Sequence, residues 1–269
     1  MNLTRPTEVR ALLERLDFKP SRVLGQNFLI DGNILRIMLD AAELKPGDAV
    51  LEIGPGLGVL TGPLLERAGR VVAVEKDDVL ATHLRQTLGG IPKFTLHHAD
   101  ALDLDLAGLL ADGLHKVVAN LPYSVGTRIL VELCQAPARP ERMVVTVQRE
   151  VADRMVAAPG KKDYGVLSVL LQLDYAVSLH KTVPRGCFFP VPQVESAIVL
   201  LQRQPRAPYP ADPARYRSLV KRCFEHRRKQ LGSLIRNDAA IAQAGLDPHQ
   251  RPETIPVEGW VRLSDAPAE

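Results

Sequence analysis

Asn120, Leu121, Pro122 and Tyr123 put an amide, a carbonyl, a rigid turn and a flat ring at four consecutive positions. They close the apolar run "KVVAN", which reads as a buried strand, and a buried amide is costly unless it is hydrogen-bonded. The pattern suits methyl transfer to the exocyclic amine of adenine. That nitrogen's lone pair is delocalised into the ring, so two acceptors on its hydrogens must pull it toward tetrahedral geometry. Asn120 Oδ1 and the Leu121 carbonyl are candidates for the two acceptors, with Pro122 fixing the carbonyl's direction and Tyr123 stacking on a flipped base. No strong base is required, because the nitrogen becomes acidic only after it is methylated. Positioning and preorganised dipoles then carry the catalysis. A strand ending in a proline turn would explain Pro122, but not a buried amide beside an aromatic.

A second set of chemistry-bearing residues precedes this one. "GPGLG" (54–58) is not a phosphate loop, since no GK[ST] follows, and Val59 breaks the G-x-G-x-x-G dinucleotide fingerprint. Its glycines still let a ligand approach the backbone. Glu75, at the end of the next apolar run, is placed to accept both hydroxyls of a ribose. An adenosine without a pyrophosphate fits such a loop, and S-adenosylmethionine is such a ligand. Singly, each glycine is a turn and Glu75 a surface charge; spaced strand by strand they point to one site.

The elements that must position these groups follow from periodicity. Helices are expected over 7–16, 32–42, 59–69, 78–88, 126–134 and 149–158, and strands over 48–54, 70–77, 93–100, 116–123 and 142–148. "KPSRVLGQNFLID" reads as a loop, and "FFPVPQVESAIVLLQ" as a loop and a last strand. Apolar strands alternating with helices imply an α/β fold, a parallel sheet covered on both faces. Ligands bind such sheets at the C-terminal strand ends, where Gly54, Glu75, Asp100 and Asn120 all fall. The proline-rich "RQPRAPYPADPA" reads as a linker, dividing a domain at 1–205 from a small helical domain at 206–269.

Composition bounds the rest. The chain has 269 residues, 46% hydrophobic and 24% charged, as in ordinary globular proteins. The N-terminus lacks the apolar core of a signal peptide, and no apolar run reaches membrane-spanning length. Cys134, Cys187 and Cys223 are scattered and the histidines lack ligand spacing, so no metal and no disulfide framework are expected, and the cytoplasm is the expected compartment. Net charge is +3, yet between Arg203 and Arg236 ten basic residues face two acids, leaving that segment at +8 and the remainder at −5. Such asymmetry suggests a polyanionic partner as strongly as it suggests a solvated helix face.

Taken together, "GQNFLID" (25–31), "LEIGPGLGVLT" (51–61), "VVAVEKD" (71–77), "HHADALDLD" (97–105), "NLPYSVGTRIL" (120–130), "FFPVPQVESAIV" (188–199) and "FEHRRKQL" (224–231) carry a resemblance over nearly the whole chain. The sequence resembles the bacterial small-subunit ribosomal RNA adenine N6,N6-dimethyltransferases, a ribosome-biogenesis family. The resemblance implies a Rossmann-like class I methyltransferase sheet with a small C-terminal helical domain. It implies that Asn27, Leu29, Gly54, Glu75, Asp100 and Asn120 contact S-adenosylmethionine, with Glu75 on the ribose and Asp100 on the adenine amine. Asn120 would touch the target amine too, and Phe188 would flank the target adenine opposite Tyr123. The partner implied is small-subunit ribosomal RNA, gripped through the basic segment including Arg222, Arg227, Arg228 and Lys229, by a monomeric enzyme. Ser124, Gly126 and Gln193 depart from the family's commonest pattern.

Other functions are weighed on the same residues. A large-subunit ribosomal RNA adenine methyltransferase conferring macrolide resistance would share the cofactor site, but the "GQNF" form and the basic "FEHRRKQL" tail favour the small subunit. Leu121 argues against a DNA adenine methyltransferase, which shows D-P-P-Y or N-P-P-Y. A non-catalytic RNA-binding factor predicts a degraded "NLPY" or glycine loop, and both are intact. An NAD-dependent oxidoreductase needs the fingerprint this loop lacks.

Overall fold

The computed structural model describes residues 1–21, 25–204 and 208–267; Arg206 and the expected domain boundary at 205/206 lie outside them. Helix α1 (Pro6–Arg15) starts on a proline, whose missing N–H costs nothing in a first turn, and buries Val9, Leu12 and Leu13. Strand β1 (Phe28–Leu29) leads into α2 (Gly32–Ala41). The Asp31 carboxylate caps α2, accepting the N–H groups of Asn33 and Ile34 at 2.9 Å each.

Strands and helices then alternate as β2 (Ala49–Ile53), α3 (Thr61–Arg67), β3 (Arg70–Glu75), α4 (Asp78–Leu88), β4 (Phe94–His98), α5 (Leu106–Ala111), β5 (Lys116–Asn120), α6 (Gly126–Gln135), β6 (Arg142–Gln148) and α7 (Arg149–Val156). After α8 (Val166–Gln172) come β7 (Tyr175–Val183), β8 (Phe188–Phe189) and β9 (Ser196–Arg203). The main sheet has the order β4-β3-β2-β5-β6-β9-β7, and β1 pairs with β8 in a separate ribbon. Strands β2 to β6 are mutually parallel, as their helical crossovers require. Strand β9 runs antiparallel to β6, pairing from Arg142↔Gln202 to Gln148↔Ser196. The sheet is therefore mixed, not wholly parallel, and the chain reaches β9 through a ribbon rather than a crossover helix. Strand order reverses between β2 and β5, so Gly54 and Asn120 flank the switch point.

The chain divides into two compact units, Met1–Ala152 with Ser178–Arg203, and Asp153–Val177 with Gln204–Glu269. In the first, Met38, Val50, Leu64, Val71, Ala73, Val118, Val144 and Ile198 form a core between sheet and helices. A second cluster packs Val9, Leu12 and Leu13 of α1 against Phe28, Leu57 and Leu80 beside the glycine loop. The second unit holds α8 with α9 (Pro213–Glu225), α10 (Leu231–Ile235), α11 (Asp238–Gln243) and α12 (Val257–Asp265).

Residues 153–177, expected in the domain at 1–205, belong to the second unit, and the reason is aromatic packing. The Tyr164 ring meets Phe224 edge-on at 6.2 Å, its hydroxyl donates to the Ile255 carbonyl at 2.9 Å, and Phe224 lies 5.7 Å from Trp260. That unit is thus discontinuous in sequence.

Candidate functional site

The C-terminal ends of β2, β3 and β5 enclose a cleft lined by "GQNFL", the glycine loop, Glu75, Asp100, Asn120, Leu121 and Pro122. It holds about 120 Å3 and opens to solvent at its mouth. Gly54 turns the chain out of β2 at φ +68, a conformation L side chains rarely adopt, and a Cβ there would meet the Pro122 ring at 3.4 Å. Gly25, at φ +66, lies so close to the "NLPY" turn that a Cβ would stand 2.9 Å from the Tyr123 backbone nitrogen.

Glu75 is buried, and its two carboxylate oxygens accept from the Gly56 N–H at 3.0 Å and the Asp77 N–H at 2.9 Å. Burial raises its pKa above the ordinary carboxylate value, while those backbone donors oppose the shift. Each oxygen retains a lone pair for a further donor. Glu52, one strand away, is 1% exposed; burial, reinforced by the charge of Glu75, pushes its carboxyl up to about 8. It is largely protonated at neutral pH, the Thr61 hydroxyl beside it opposing the shift. Asp100 accepts from Lys76 Nζ at 2.6 Å and from the Leu102 N–H at 2.9 Å, and the Lys76 ammonium holds its carboxyl below the usual range.

Asn120 is fastened and unsatisfied at once. Its Nδ2 donates to the Asn27 carbonyl at 2.8 Å, while its buried Oδ1 has no partner among the described residues. The Leu121 N–H donates to Thr146 O at 3.2 Å, but no described group donates to the Leu121 carbonyl. The Pro122 carbonyl accepts the Gly126 N–H at 2.8 Å, closing the turn into α6. Tyr123 is half-buried and its hydroxyl hydrogen-bonds Ser196 Oγ at the start of β9. Asn27 and Leu29 both line the cleft, Leu29 nearly buried.

Phe188 departs from expectation. Its side chain is 0% exposed, within the core cluster that holds Leu29 and Ile198. In the ribbon Phe188 pairs with Leu29 and Phe189 with Phe28, and successive strand side chains point to opposite faces. Phe188 takes the buried face, so as folded here its ring is not offered to a base. The half-buried Phe189 carries the Arg10 guanidinium 5.2 Å from its ring centroid.

In the second unit, Arg222 lies on α9, and Arg227, Arg228 and Lys229 occupy the turn that follows it. Arg222, Arg228 and Lys229 are exposed and make no side-chain bond with the described residues. Arg227 is committed internally, donating to Glu253 at 3.2 Å and to the Lys162 carbonyl at 3.2 Å. Among the described residues no three His, Cys, Asp or Glu side chains are grouped to hold a metal, and no helix is long and apolar enough to cross a membrane.

Three participants escaped the sequence. Ser196 lies 73 positions from the tyrosine it holds and carries no motif signal of its own. Lys76 sits inside "EKD" and Glu52 inside "LEIG", where closer attention to charge beside the loop would have raised both.

A buried, partnerless acceptor at the cleft, Asn120 Oδ1, leaves a place for a donor that an amino-acid or amine ligand carries. With the glycine cradle and the remaining lone pairs of Glu75, the residues present fit S-adenosylmethionine. Comparison with known proteins agrees in kind. Residues 18–266 match the model of a family described as ribosomal RNA adenine dimethylase. Ribosomal RNA small subunit methyltransferase A of Opitutus terrae is 45% identical over 96% of this chain and 97% of its own length. The protein of the same name from Deinococcus radiodurans is 44% identical over 96% of this chain and 89% of its own. Among solved structures, the 23S rRNA methyltransferase ErmE superposes with a TM-score of 0.66 at 31% identity, covering 89% of this chain and 98% of its own. A dimethyladenosine transferase from Plasmodium falciparum gives 0.74 at 22% identity, over 87% and 95%, a likeness of fold.

Proposed function

The chain belongs to the ribosomal RNA adenine dimethylase family, and from that premise we propose that it binds S-adenosylmethionine in the β2–β3–β5 cleft and dimethylates two adjacent adenines near the 3′ end of small-subunit ribosomal RNA during subunit maturation. The observation that carries this reading is that two acceptors on consecutive residues at the switch point, Asn120 Oδ1 and the Leu121 carbonyl, have no donor among the described residues.

Bound S-adenosylmethionine supplies an electrophilic methyl group on its sulfonium sulfur. Glu75 accepts the ribose hydroxyls while its other lone pairs hold the glycine loop. Asp100 accepts the cofactor's adenine amine beside Lys76, and Asn27 and Leu29 cover the cleft from the "GQNFL" side. Asn120 Oδ1 and the Leu121 carbonyl each take one hydrogen of the target amine, which aims the nitrogen lone pair out of the base plane. Tyr123, steadied by Ser196, stacks on the base. The methylated, cationic nitrogen is a strong acid and gives its proton to solvent without a dedicated base. In the second round one hydrogen remains, and one acceptor suffices. The exposed Arg222, Arg228 and Lys229 contact RNA phosphates; Arg227 contributes chiefly by bracing that turn. The reading takes the enzyme to act as a monomer, without a metal, in the cytoplasm; sedimentation and activity in chelator check the first two.

The experiment is incubation of the protein and labelled cofactor with undermethylated small subunits and, separately, with large subunits. Dimethyladenosine at two adjacent positions of small-subunit RNA is expected. Label confined to large-subunit RNA would overturn the reading in favour of the ErmE-like alternative.

A further inference from the structure

Strand β6 outruns β5 at its C-terminal end, and its last residue, Gln148, has no part in that scheme. Asn120 pairs with Thr146 on β6, and Gln148 with Ser196 on β9. Residues opposite one another across a ladder share a face, as do residues two apart along a strand. Asn120, Thr146, Gln148 and Ser196 therefore stand on one face of the sheet. The register is one in which side chains meet: Arg142, six residues earlier, donates to its partner Gln202 at 2.7 Å. Gln148 lies about 6–7 Å along β6 from the level of Asn120, beside the serine that holds the Tyr123 hydroxyl.

Gln148 is half-buried, and its amide makes no hydrogen bond with any described residue. The polar groups around it are otherwise committed. Tyr123 and Ser196 bond each other, and Arg149 donates to the Thr182 hydroxyl at 2.7 Å and to the Glu195 carbonyl at 2.9 Å. Ser124 lines the cofactor cleft instead. The groups assigned to the target amine, Asn120 Oδ1 and the Leu121 carbonyl, only accept. A base held by two acceptors and an aromatic ring can still turn in its own plane, because stacking fixes height and tilt but not rotation. A donor to a ring nitrogen would stop that rotation, and Gln148 carries two N–H groups on the same face. A merely solvated glutamine needs no such neighbours. This one ends an interior strand, between the strand that carries Asn120 and the strand that opens with Ser196.

We infer that Gln148 reads the target base: its side-chain NH2 donates to a ring nitrogen flanking the adenine amine, N1 or N7. The inference rests on the adenine methyltransferase reading above and adds to it a specificity-determining residue. An amide on the ring nitrogen and two acceptors on the amine fix the base in its plane, which keeps the amine aligned with the incoming methyl.

The test uses the full chain and undermethylated small subunits that carry adenosine, 1-deazaadenosine or 7-deazaadenosine at the target positions. Gln148→Leu removes the amide, and Gln148→Glu keeps its shape but, ionised, donates nothing. Calorimetric cofactor affinity, expected within about twofold of wild type, verifies that each variant is folded. Single-turnover transfer to adenosine should slow at least tenfold in both variants, and wild-type rates in both would overturn the inference. The deaza bases then separate reading from support. One of them should slow wild type at least tenfold more than it slows Gln148→Leu, because the nitrogen and the amide act as a pair. Gln148→Glu takes its place in that comparison if Gln148→Leu does not fold. Equal penalties in wild type and variant for both deaza bases would show a merely structural role and overturn the inference. Wild-type transfer to adenosine checks the underlying reading separately. If large subunits are labelled and small ones are not, the ribosomal target is corrected and the same comparison is made on the large-subunit adenine. If neither is labelled, the methyltransferase reading fails and the role of Gln148 falls with it.

Discussion

Replacing Asn120 by alanine should separate stability from activity, because the same side chain both holds and withholds a hydrogen bond. The Nδ2 bond to the Asn27 carbonyl, 2.8 Å long, contributes a net ~0.5–1.5 kcal/mol. Asn27 is half-buried, so water reaches the released carbonyl and keeps the loss near the lower end. Against it stands Oδ1, buried without a partner, a standing cost of about 1–3 kcal/mol that alanine abolishes. Set against a loss near 0.5 kcal/mol, that relief leaves a net gain of about 0.5–2.5 kcal/mol, which the packing lost with the side chain offsets in part, so Asn120→Ala should be no more than about 1 kcal/mol less stable than wild type in urea. Methyl transfer should behave otherwise: losing one preorganised acceptor costs ~2.7–4 kcal/mol in the transition state, a factor of about a hundred to a thousand. Asn120→Asp retains an acceptor but sets a carboxylate oxygen against the Asn27 carbonyl, so it should be the less stable variant. Single-turnover assays at saturating cofactor, read by mass spectrometry for mono- and dimethyladenosine, measure the rate beside the urea midpoint. Wild-type rates for both products would refute the role given to Oδ1. Destabilisation beyond about 3 kcal/mol would show that Asn120 is retained for the fold.

Glu75→Ala should weaken S-adenosylmethionine at least tenfold by calorimetry, since each charge-assisted bond lost is worth about 1.5–3 kcal/mol; unchanged affinity in a folded variant removes Glu75 from the site. Tyr123→Phe and Ser196→Ala delete the same bond, so each should slow transfer by up to about tenfold and the double variant should be no slower than either. Tyr123→Ala should lose a further ~1–3 kcal/mol of stacking. Burial of Asp48 favours its neutral form, but Lys116 at 2.8 Å and His115 at 3.0 Å prevail and hold its pKa at about 2, below the ordinary 3.8. Its contribution, about 2 kcal/mol, is therefore full above pH 3.8 and lost as pH falls toward 2, and Asp48→Asn should flatten that acid limb of the urea midpoint. Glu52 has the opposite sign: raised from 4.5 to about 8, it stabilises fully below pH 4.5 and loses that contribution as pH rises through 8, a slope that Glu52→Gln should remove.

What was legible in the sequence is what neighbours along the chain decide. Strands buried on both faces read as apolar runs, and Gly54, Glu75 and Asn120 end such runs, while Asp100 follows the half-exposed edge strand β4, so the cleft could be located from the sequence. Helix starts were legible for the same reason, as with Asp31 and Asp77, whose carboxylates cap the next turn. What escaped depends on partners far away. The antiparallel sense of β9 is set by its register on β6, not by any residue within it. The buried sense of Phe188 rests on a two-residue ribbon with β1, where a shift of one position would expose it and bury Phe189. Residues 153–177 join the second unit through a ring contact spanning sixty positions, from Tyr164 to Phe224.

The unsatisfied groups bear on the choice between an enzyme and a non-catalytic factor on the same fold. A fold used only as a platform gains nothing from a buried amide oxygen and a bare carbonyl beside it; each costs stability. Moreover, they are not accidents of loose packing. Gly25 is pressed against the Tyr123 backbone, Asn27 accepts from Asn120, and Gly56 donates to Glu75, so three segments distant in sequence hold one another rigid around these atoms. Rigid surroundings prevent the acceptors from finding partners by relaxing, which is the condition for donors on a ligand to be worth most when they arrive. The expense is explained if the missing donors belong to a bound cofactor and a target amine, and it has no explanation in a protein that only docks on RNA.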